Sequence, residues 1–452
     1  MLISIKMNNM FIYNSETDFS LVADMRSKRF KSNLLQISDE YIVKSAVIMG
    51  PNNVGKTNLI KCINAIKRII LNDRPYYLER NMFSNDPLSS FELVFGYDNK
   101  VYKLKIKYDT KNDRLSSEEY SILTKRSTKE TIIMSRGGDN KAGTVFLNTQ
   151  FFKRDTDKLS AALALSSYGC LMIHLIDEQQ AAIMSEIKRP YISFAQSIEI
   201  IDMNHLSIQK TIEMMKKSET KQNKISEFIR CADLYLDDIV FLSDEQVKIS
   251  VDTPDDSIIQ NRMPSELPAS INEQLHLCSI YKGNYVPSVL FDSEGTKKMT
   301  AISSYVIDAL KNGKVLVVDE LDSSLHFKLL RAIISLFNNE LNNTAQLIAT
   351  VHDISLLDCK RLFRKEQIWF AHKDVEGVYL YSLAEFTSDD YGVRETSDLV
   401  EKYKQGVFGA LPYPDLFDVL TDEEFEKESN ERKEDIDFLS LIDDEGDESD
   451  VQ

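Results

Sequence analysis

The sequence predicts an α/β fold in which a mixed, largely parallel sheet is joined to an antiparallel β meander and a helical insertion. Three observations carry that prediction. A glycine-rich loop lies between an apolar strand and an amphipathic helix across residues 45–71. Residues 91–134 alternate apolar and polar side chains. Near the end, "KVLVVDE" and "AQLIATVH" are short apolar strands separated by a helix.

In chain order, "SAVIMG" (45–50) reads as a buried strand, and "GPNNVGKTNLIKCINAIKRIIL" follows it as a tight loop and a helix. "FELVFGYDNKVYKLKIKYD", "YSILTK" and "TIIMSR" form the meander, with Asp-Asn and Asn-Asp turn signals between them. Residues from about 155 to 240 take a helical period, after which "DIVFLSD" and "YVPSVLFD" are strands that lead into "SEGTKKM". The two late strands show no polar face, which calls for a parallel sheet covered on both sides. These segments divide the chain into an N-terminal lobe (1–154), a helical insertion (155–274), a C-terminal lobe (275–420) and a tail (421–452).

A chain of 452 residues, 43% hydrophobic, buries a large core, and two intimately linked lobes are expected. No run of about 18 apolar residues occurs, and the N-terminus lacks the basic-then-apolar order of a secretory signal, so a cytoplasmic protein with no membrane segment is expected. Cys62, Cys170, Cys231, Cys278 and Cys359 stand singly with no C-x-x-C pair, which favours reduced thiols over disulfides or zinc.

The net charge of −17 is concentrated: residues 421–452 hold 15 acidic and 3 basic side chains, leaving 51 basic against 56 acidic in the rest. So balanced a body has room for a local basic face, and DNA contact stays open. "KTIEMMKKSETKQNKISEFIR" (210–230) carries six basic and three acidic residues and reads first as a solvated helix face. The tail is too charged to pack alone and is expected to be disordered; its apolar island "IDFLSLI" (436–442) is either a docking segment or part of a solubilising tail.

The strongest chemical signal is "GPNNVGKT", residues 50–57, which fits G-x-x-x-x-G-K-[ST] between a strand and a helix. Gly50 and Gly55 let the backbone curl so that successive N–H groups point inward, and the helix start adds positive potential toward an anion. Lys56 would neutralise the β and γ phosphates of ATP, and the Thr57 hydroxyl would hold Mg²⁺. Asn52 and Asn53 within the loop, and Asn58 just after it, complete the nucleotide-contacting set. Such a loop needs a carboxylate at the end of a neighbouring buried strand, and "KVLVVDELDSSLH" supplies Asp319 for the metal and Glu320 to orient or deprotonate the attacking water. "AQLIATVH" ends at His352, placed to sense the γ phosphate. Gln150, in "LNTQFF" after the meander, is the candidate metal-contacting glutamine.

Spacing discriminates among ATPases. Lys56 and Asp319 lie 263 residues apart, so the meander and helices are inserted between two halves of one site. Between them, 24 residues before Asp319, sits Gly295 of "SEGTKKM", at a predicted helix start. This order of phosphate loop, long insertion, Ser-x-Gly, Asp-Glu and His resembles the ATPase heads of the ABC class, as in the SMC and RecF group. That resemblance implies that Ser293 and Gly295 serve the opposite subunit's nucleotide, that Asp322 and Ser323 lie at the same interface, and that the working form is a homodimer or a higher homo-oligomer. The usual Ser-Gly-Gly-Gln is altered by Glu294 and Thr296, which bears on the rate of hydrolysis.

The start "LISIKMNNMFIYNSETDFSL", the motifs above and the late "RETSDLVEKYKQGVFGALP" together resemble the abortive-infection ATPases of bacterial phage defence, the OLD-like, RloA-like and AbiLi-like heads that include the ATPase of the PARIS system. The resemblance spans roughly residues 1–412. It implies an ATPase that senses infection, with a phage protein as a possible trigger, and controls a toxic effector such as a Toprim-type nuclease. No such nuclease is expected within this sequence: only 100 residues follow His352 in it, and Asp435 and Asp437 have the Asp-x-Asp spacing but lie in the charged tail. Effector activity is therefore expected from a partner. Rival readings are a RecF-like DNA-repair clamp, marked by strong salt-dependent DNA binding, and a nucleotide-gated scaffold without turnover.

Overall fold

The computed structural model describes residues 1–27, 29–72, 77–124, 129–137, 144–152, 156–166, 168–176, 184–243, 273–358, 362–375, 377–387, 391–393, 397–409 and 411. The acidic tail, its "IDFLSLI" island, Cys359 and part of "RETSDLVEKYKQGVFGALP" lie outside the described residues. The described residues up to 409 belong to one compact unit.

Strands are numbered in chain order. β1 (Leu2–Asn8) and β2 (Thr17–Ser20) open the chain, β3 (Leu34–Ile37) and β4 (Glu40–Val43) pair as a ribbon, and β5 (Ser45–Met49) precedes the phosphate loop. β6 (Leu88–Tyr97), β7 (Lys100–Asp109), β8 (Arg114–Thr124), β9 (Lys129–Gly137) and β10 (Val145–Leu147) are the predicted meander. β11 (Ile198–Asp202) follows in the middle of the chain, and β12 (Asp238–Phe241), β13 (Leu277–Tyr281) and β14 (Asn284–Pro287) form a small antiparallel sheet. β15 (Val315–Asp319), β16 (Gln346–Thr350), β17 (Ile368–Lys373) and β18 (Val378–Ser382) complete the set.

The central sheet runs β11-β15-β16-β5-β17-β18, parallel except for the last pair. Every residue of β5, β15 and β16 is buried, as their apolar interiors require. The meander extends to β10-β9-β8-β7-β6-β1-β2 and alternates buried and exposed positions, one face inward and one toward water. One core joins both sheets. The helix Lys56–Leu71 buries Leu59, Ile63, Ile66 and Ile70 along one stripe, and the helix Arg189–Ser197 sets Tyr191 and Phe194 against the meander's Phe95, Tyr102 and Tyr120.

The α/β class with its meander is as expected, but the division at residues 154 and 274 does not separate bodies. The stretch 155–274, read as helical, inserts β11 beside β15, so the central sheet draws strands from all three predicted segments. The helix Arg189–Ser197 runs directly into β11, which hid the strand behind a helical period. Among the described residues no helix is long and apolar enough to cross a membrane, and no disulfide joins Cys62, Cys170, Cys231 or Cys278 to another described residue.

Candidate ATPase site

The phosphate loop owes its shape to two glycines. Gly50 has φ +146°, and a Cβ there would sit 2.4 Å from the Ala371 carbonyl oxygen of β17. Gly55 has φ +100° and caps the following helix, with Val378 2.9 Å from where a Cβ would be. Tyr13, brought in by the β1–β2 connection, donates its hydroxyl to the Gly55 carbonyl at 3.1 Å. The loop is therefore held from its own strand, from β17–β18 and from the N-terminus together.

Asn52, Asn53, Gly55, Lys56, Thr57, Asn58, Asp319, Glu320 and His352 line one cleft, so the structure brings together residues up to 300 positions apart as expected. Parallel pairing explains it: β5, β16 and β15 are adjacent and end at the same edge of the sheet. Thr350, at the end of β16, organises the carboxylates. Its hydroxyl donates to Asp319 Oδ1 at 2.5 Å and accepts the Glu320 amide at 2.8 Å. Glu320 itself adopts φ +53°, a left-handed conformation that costs a non-glycine residue about 1–3 kcal/mol and marks a site held by its surroundings.

Lys56 is buried, and its ammonium donates to the carbonyls of Gly50 and Pro51, both at 2.6 Å. Burial pushes its pKa down to about 8, against the opposing pull of Asp322, Asp319 and Glu320. An anion in the loop is favoured by the protonated amine, so binding is at full strength below pH 8 and weakens as pH rises through that value. Nucleotide affinity measured by calorimetry is expected to fall about tenfold between pH 7 and pH 9, with proton uptake on binding, and Lys56→Met should flatten the profile.

Thr57 and Asp319 offer a hydroxyl and a carboxylate to the same cleft. Among the described residues no three His, Cys, Asp or Glu side chains gather as a metal cage. Hard oxygen donors few in number fit Mg²⁺, which keeps several waters and takes its remaining ligands from phosphates.

Gln150 is a correction. It lines a different cleft with Lys100, Thr124, Thr131 and Glu186, on the meander. Asn148 pins that turn to the meander by donating to Ile132 O at 2.8 Å and accepting the Gln150 amide at 3.0 Å. The outer neighbour of β15 is instead β11, whose Asp202 is in register with Asp319. It delivers Asn204, which donates to Glu320 Oε2 at 2.5 Å. Sequence reasoning missed this residue, although "IEIID" ends in an aspartate just as "VLVVD" does.

Ser293 caps the helix Glu294–Asn312 by accepting the Thr296 amide, and it is exposed, outside the phosphate cleft. Buried Asp292 anchors the approach by accepting Ser279, Tyr281 and Ser288 hydroxyls. At Gly295 a Cβ would lie 2.8 Å from Ser324 O, so the helix start packs against the loop after Glu320. Asp322, expected at a subunit interface, turns its carboxylate inward and accepts the His352 and Asp353 amides at 2.7 and 2.8 Å. It ties the Asp-Glu loop to the histidine loop.

A phosphate loop, a strand-end Asp-Glu pair and a histidine on three adjacent parallel strands define a P-loop ATPase domain. Residues 45–169 and 174–358 match the family described as "AAA domain, putative AbiEii toxin, Type IV TA system", and the chain belongs to that family. A search of the curated proteins found no match. Among solved structures the chain is similar to an SMC head domain from Thermotoga maritima, at 12% identity and a TM-score of 0.40 over 84% of this chain and 98% of that one. It is also similar to an SMC head bound to the C-terminal winged-helix domain of ScpA, at 13% identity and a TM-score of 0.40 over 84% of this chain and 97% of that one.

Proposed function

We propose that the chain is an ATP-binding and slowly hydrolysing sensor or scaffold subunit of a bacterial antiphage defence system. It controls a separate toxic effector, of the Toprim nuclease type, through ATP-dependent dimerisation or higher assembly, with a phage protein as trigger. One observation carries the reading: Ser293 stands exposed at the start of a 19-residue helix, outside the cleft its own chain builds. A helix start that its own phosphate cleft does not use suits a second copy's nucleotide. The toxin–antitoxin description of the family supports an effector on another chain.

In this reading Lys56 and the loop amides hold the phosphates, Thr57 and Asp319 hold Mg²⁺, and Mg²⁺ when bound offsets charge on the phosphate oxygens. Glu320 takes the proton of the attacking water, and His352 contacts the γ phosphate. Glu294, exposed beside Ser293, brings a negative charge toward the partner's triphosphate, which favours slow turnover.

Ser293→Arg tests the half-site. ATP binding to the monomer should change little, while ATP-driven self-association measured by sedimentation should weaken at least tenfold, about 1.4 kcal/mol. Equal loss of both would reduce residues 291–299 to an ordinary capped helix start. A second reading, a RecF-like DNA-repair clamp, draws on a groove lined by Lys217, Lys221, Lys224 and Lys311, none ion-paired with a described residue. Four phosphate contacts there would give log K against log salt a slope of about −3.6, and lack of any salt-dependent DNA binding would remove this reading.

A further inference from the structure

The tightest side-chain contact to Glu320 comes from outside the predicted motifs. Asn204 follows β11, and its amide nitrogen donates to Glu320 Oε2 at 2.5 Å. Its own oxygen accepts the Ser323 hydroxyl at 2.7 Å, and Ser323 in turn accepts the Lys298 ammonium at 2.9 Å. Lys298 also reaches Ser324 Oγ at 3.3 Å. The Asn204 turn is fixed by Asp202, whose two carboxylate oxygens take the Asn204 amide and the His205 ring nitrogen.

Four side chains thus form one continuous line, Lys298–Ser323–Asn204–Glu320. Its two ends are functionally distinct. Lys298 sits one turn into the helix that Ser293 caps, and Glu320 faces the chain's own phosphate loop. A carboxylate that serves as a base must offer a lone pair to water in the right direction, and the hydrogen bond from Asn204 occupies one of the two Glu320 oxygens and fixes where the other points. The line therefore holds Glu320 back, and it does so through the same helix start that a second subunit would engage.

We propose that Asn204 is a positioning residue that restrains Glu320 in the single subunit, and that Lys298 and Ser323 transmit release of the restraint when another copy's nucleotide docks on Ser293. One subunit's shared half-site would then license its own hydrolytic centre. This rests on the dimer reading above, and the experiment keeps the two apart.

Turnover of ATP is measured on the full chain over a protein dilution series, with sedimentation on the same samples. At dilutions where the wild type is monomeric, Asn204→Ala is expected to raise kcat about fivefold with KM for ATP unchanged, and to lose most of the dependence on protein concentration. Self-association with ATP should be as in the wild type. Lys298→Met, at the far end of the line, should act in the same direction and decides the matter if Asn204→Ala is unstable. Wild-type turnover at every dilution for both variants would overturn the proposal. So would a fall in kcat at unchanged KM, which would make Asn204 an aid to Glu320 and not a restraint. Should Ser293→Arg leave self-association intact, the dimer reading fails by itself, while the effect of Asn204→Ala on the monomer remains readable.

Discussion

Glu320→Gln is expected to cut ATP turnover by about 10²–10⁴-fold, the usual contribution of a positioned general base, while ATP binding and ATP-driven self-association persist. The substitution preserves shape. Its backbone amide still donates to the Thr350 hydroxyl, and the side-chain carbonyl can still accept from Asn204. What it removes is the oxygen that takes a proton from water. Lys56, Thr57 and Asp319, which hold the nucleotide in the proposed mechanism, are untouched. Phosphate release together with calorimetric titration separates the two functions. Wild-type release by the variant would move the base elsewhere in the cleft, and joint loss of binding and turnover would mean that the loop itself had collapsed.

Arg136→Met is expected to cost about 3–5 kcal/mol of stability, because it leaves a buried carboxylate without its counter-charge. Arg136 and Glu118 have fully buried side chains 2.5 Å apart on neighbouring strands β9 and β8. The guanidinium also donates to Ser166 Oγ at 3.0 Å and to Cys170 O at 2.7 Å, and it lies 4.4 Å from the centre of the Tyr168 ring. Glu118 accepts the Tyr120 hydroxyl and the Met172 amide. The pair thereby fastens Ser166, Tyr168, Cys170 and Met172 to the meander. Burial pushes the Glu118 carboxyl up and Arg136 pulls it down, so without Arg136 the carboxyl takes up a proton more readily. The destabilisation should therefore be smaller in acid than at neutral pH. Denaturant titration measures it, and Glu118→Gln in the same chain should recover a large part; a change under about 1 kcal/mol would show the pair to be dispensable.

Much of the site was legible because parallel strands advertise their ends. "SAVIM", "VLVVD" and "QLIAT" carry polar residues only at their ends, and Gly50, Glu320 and His352, just beyond those strands, mark the edge where ligands collect. Ser293 was also legible as a helix cap, a local property. Two things were not. β11 carries Glu199 in its interior, a charge that breaks the apolar run and that only the fold explains, since Lys210 and Lys314 both hold it. Gln150 was chosen for its place after the meander, yet order along the chain does not say which strand lies beside β15. That neighbour is fixed by sheet pairing, and no motif encodes it.

β5 bears on how the protein comes to exist. Its two partners in the sheet, β16 and β17, begin roughly 300 residues after it. During synthesis the strand that carries the phosphate loop emerges early and then waits, unpaired, while the meander and the long helices are made. Contacts this distant close slowly and leave apolar surface open in the meantime. A chain stopped short of β16 would display the loop sequence and bind nothing with it. Nucleotide recognition is thus among the last properties the molecule acquires.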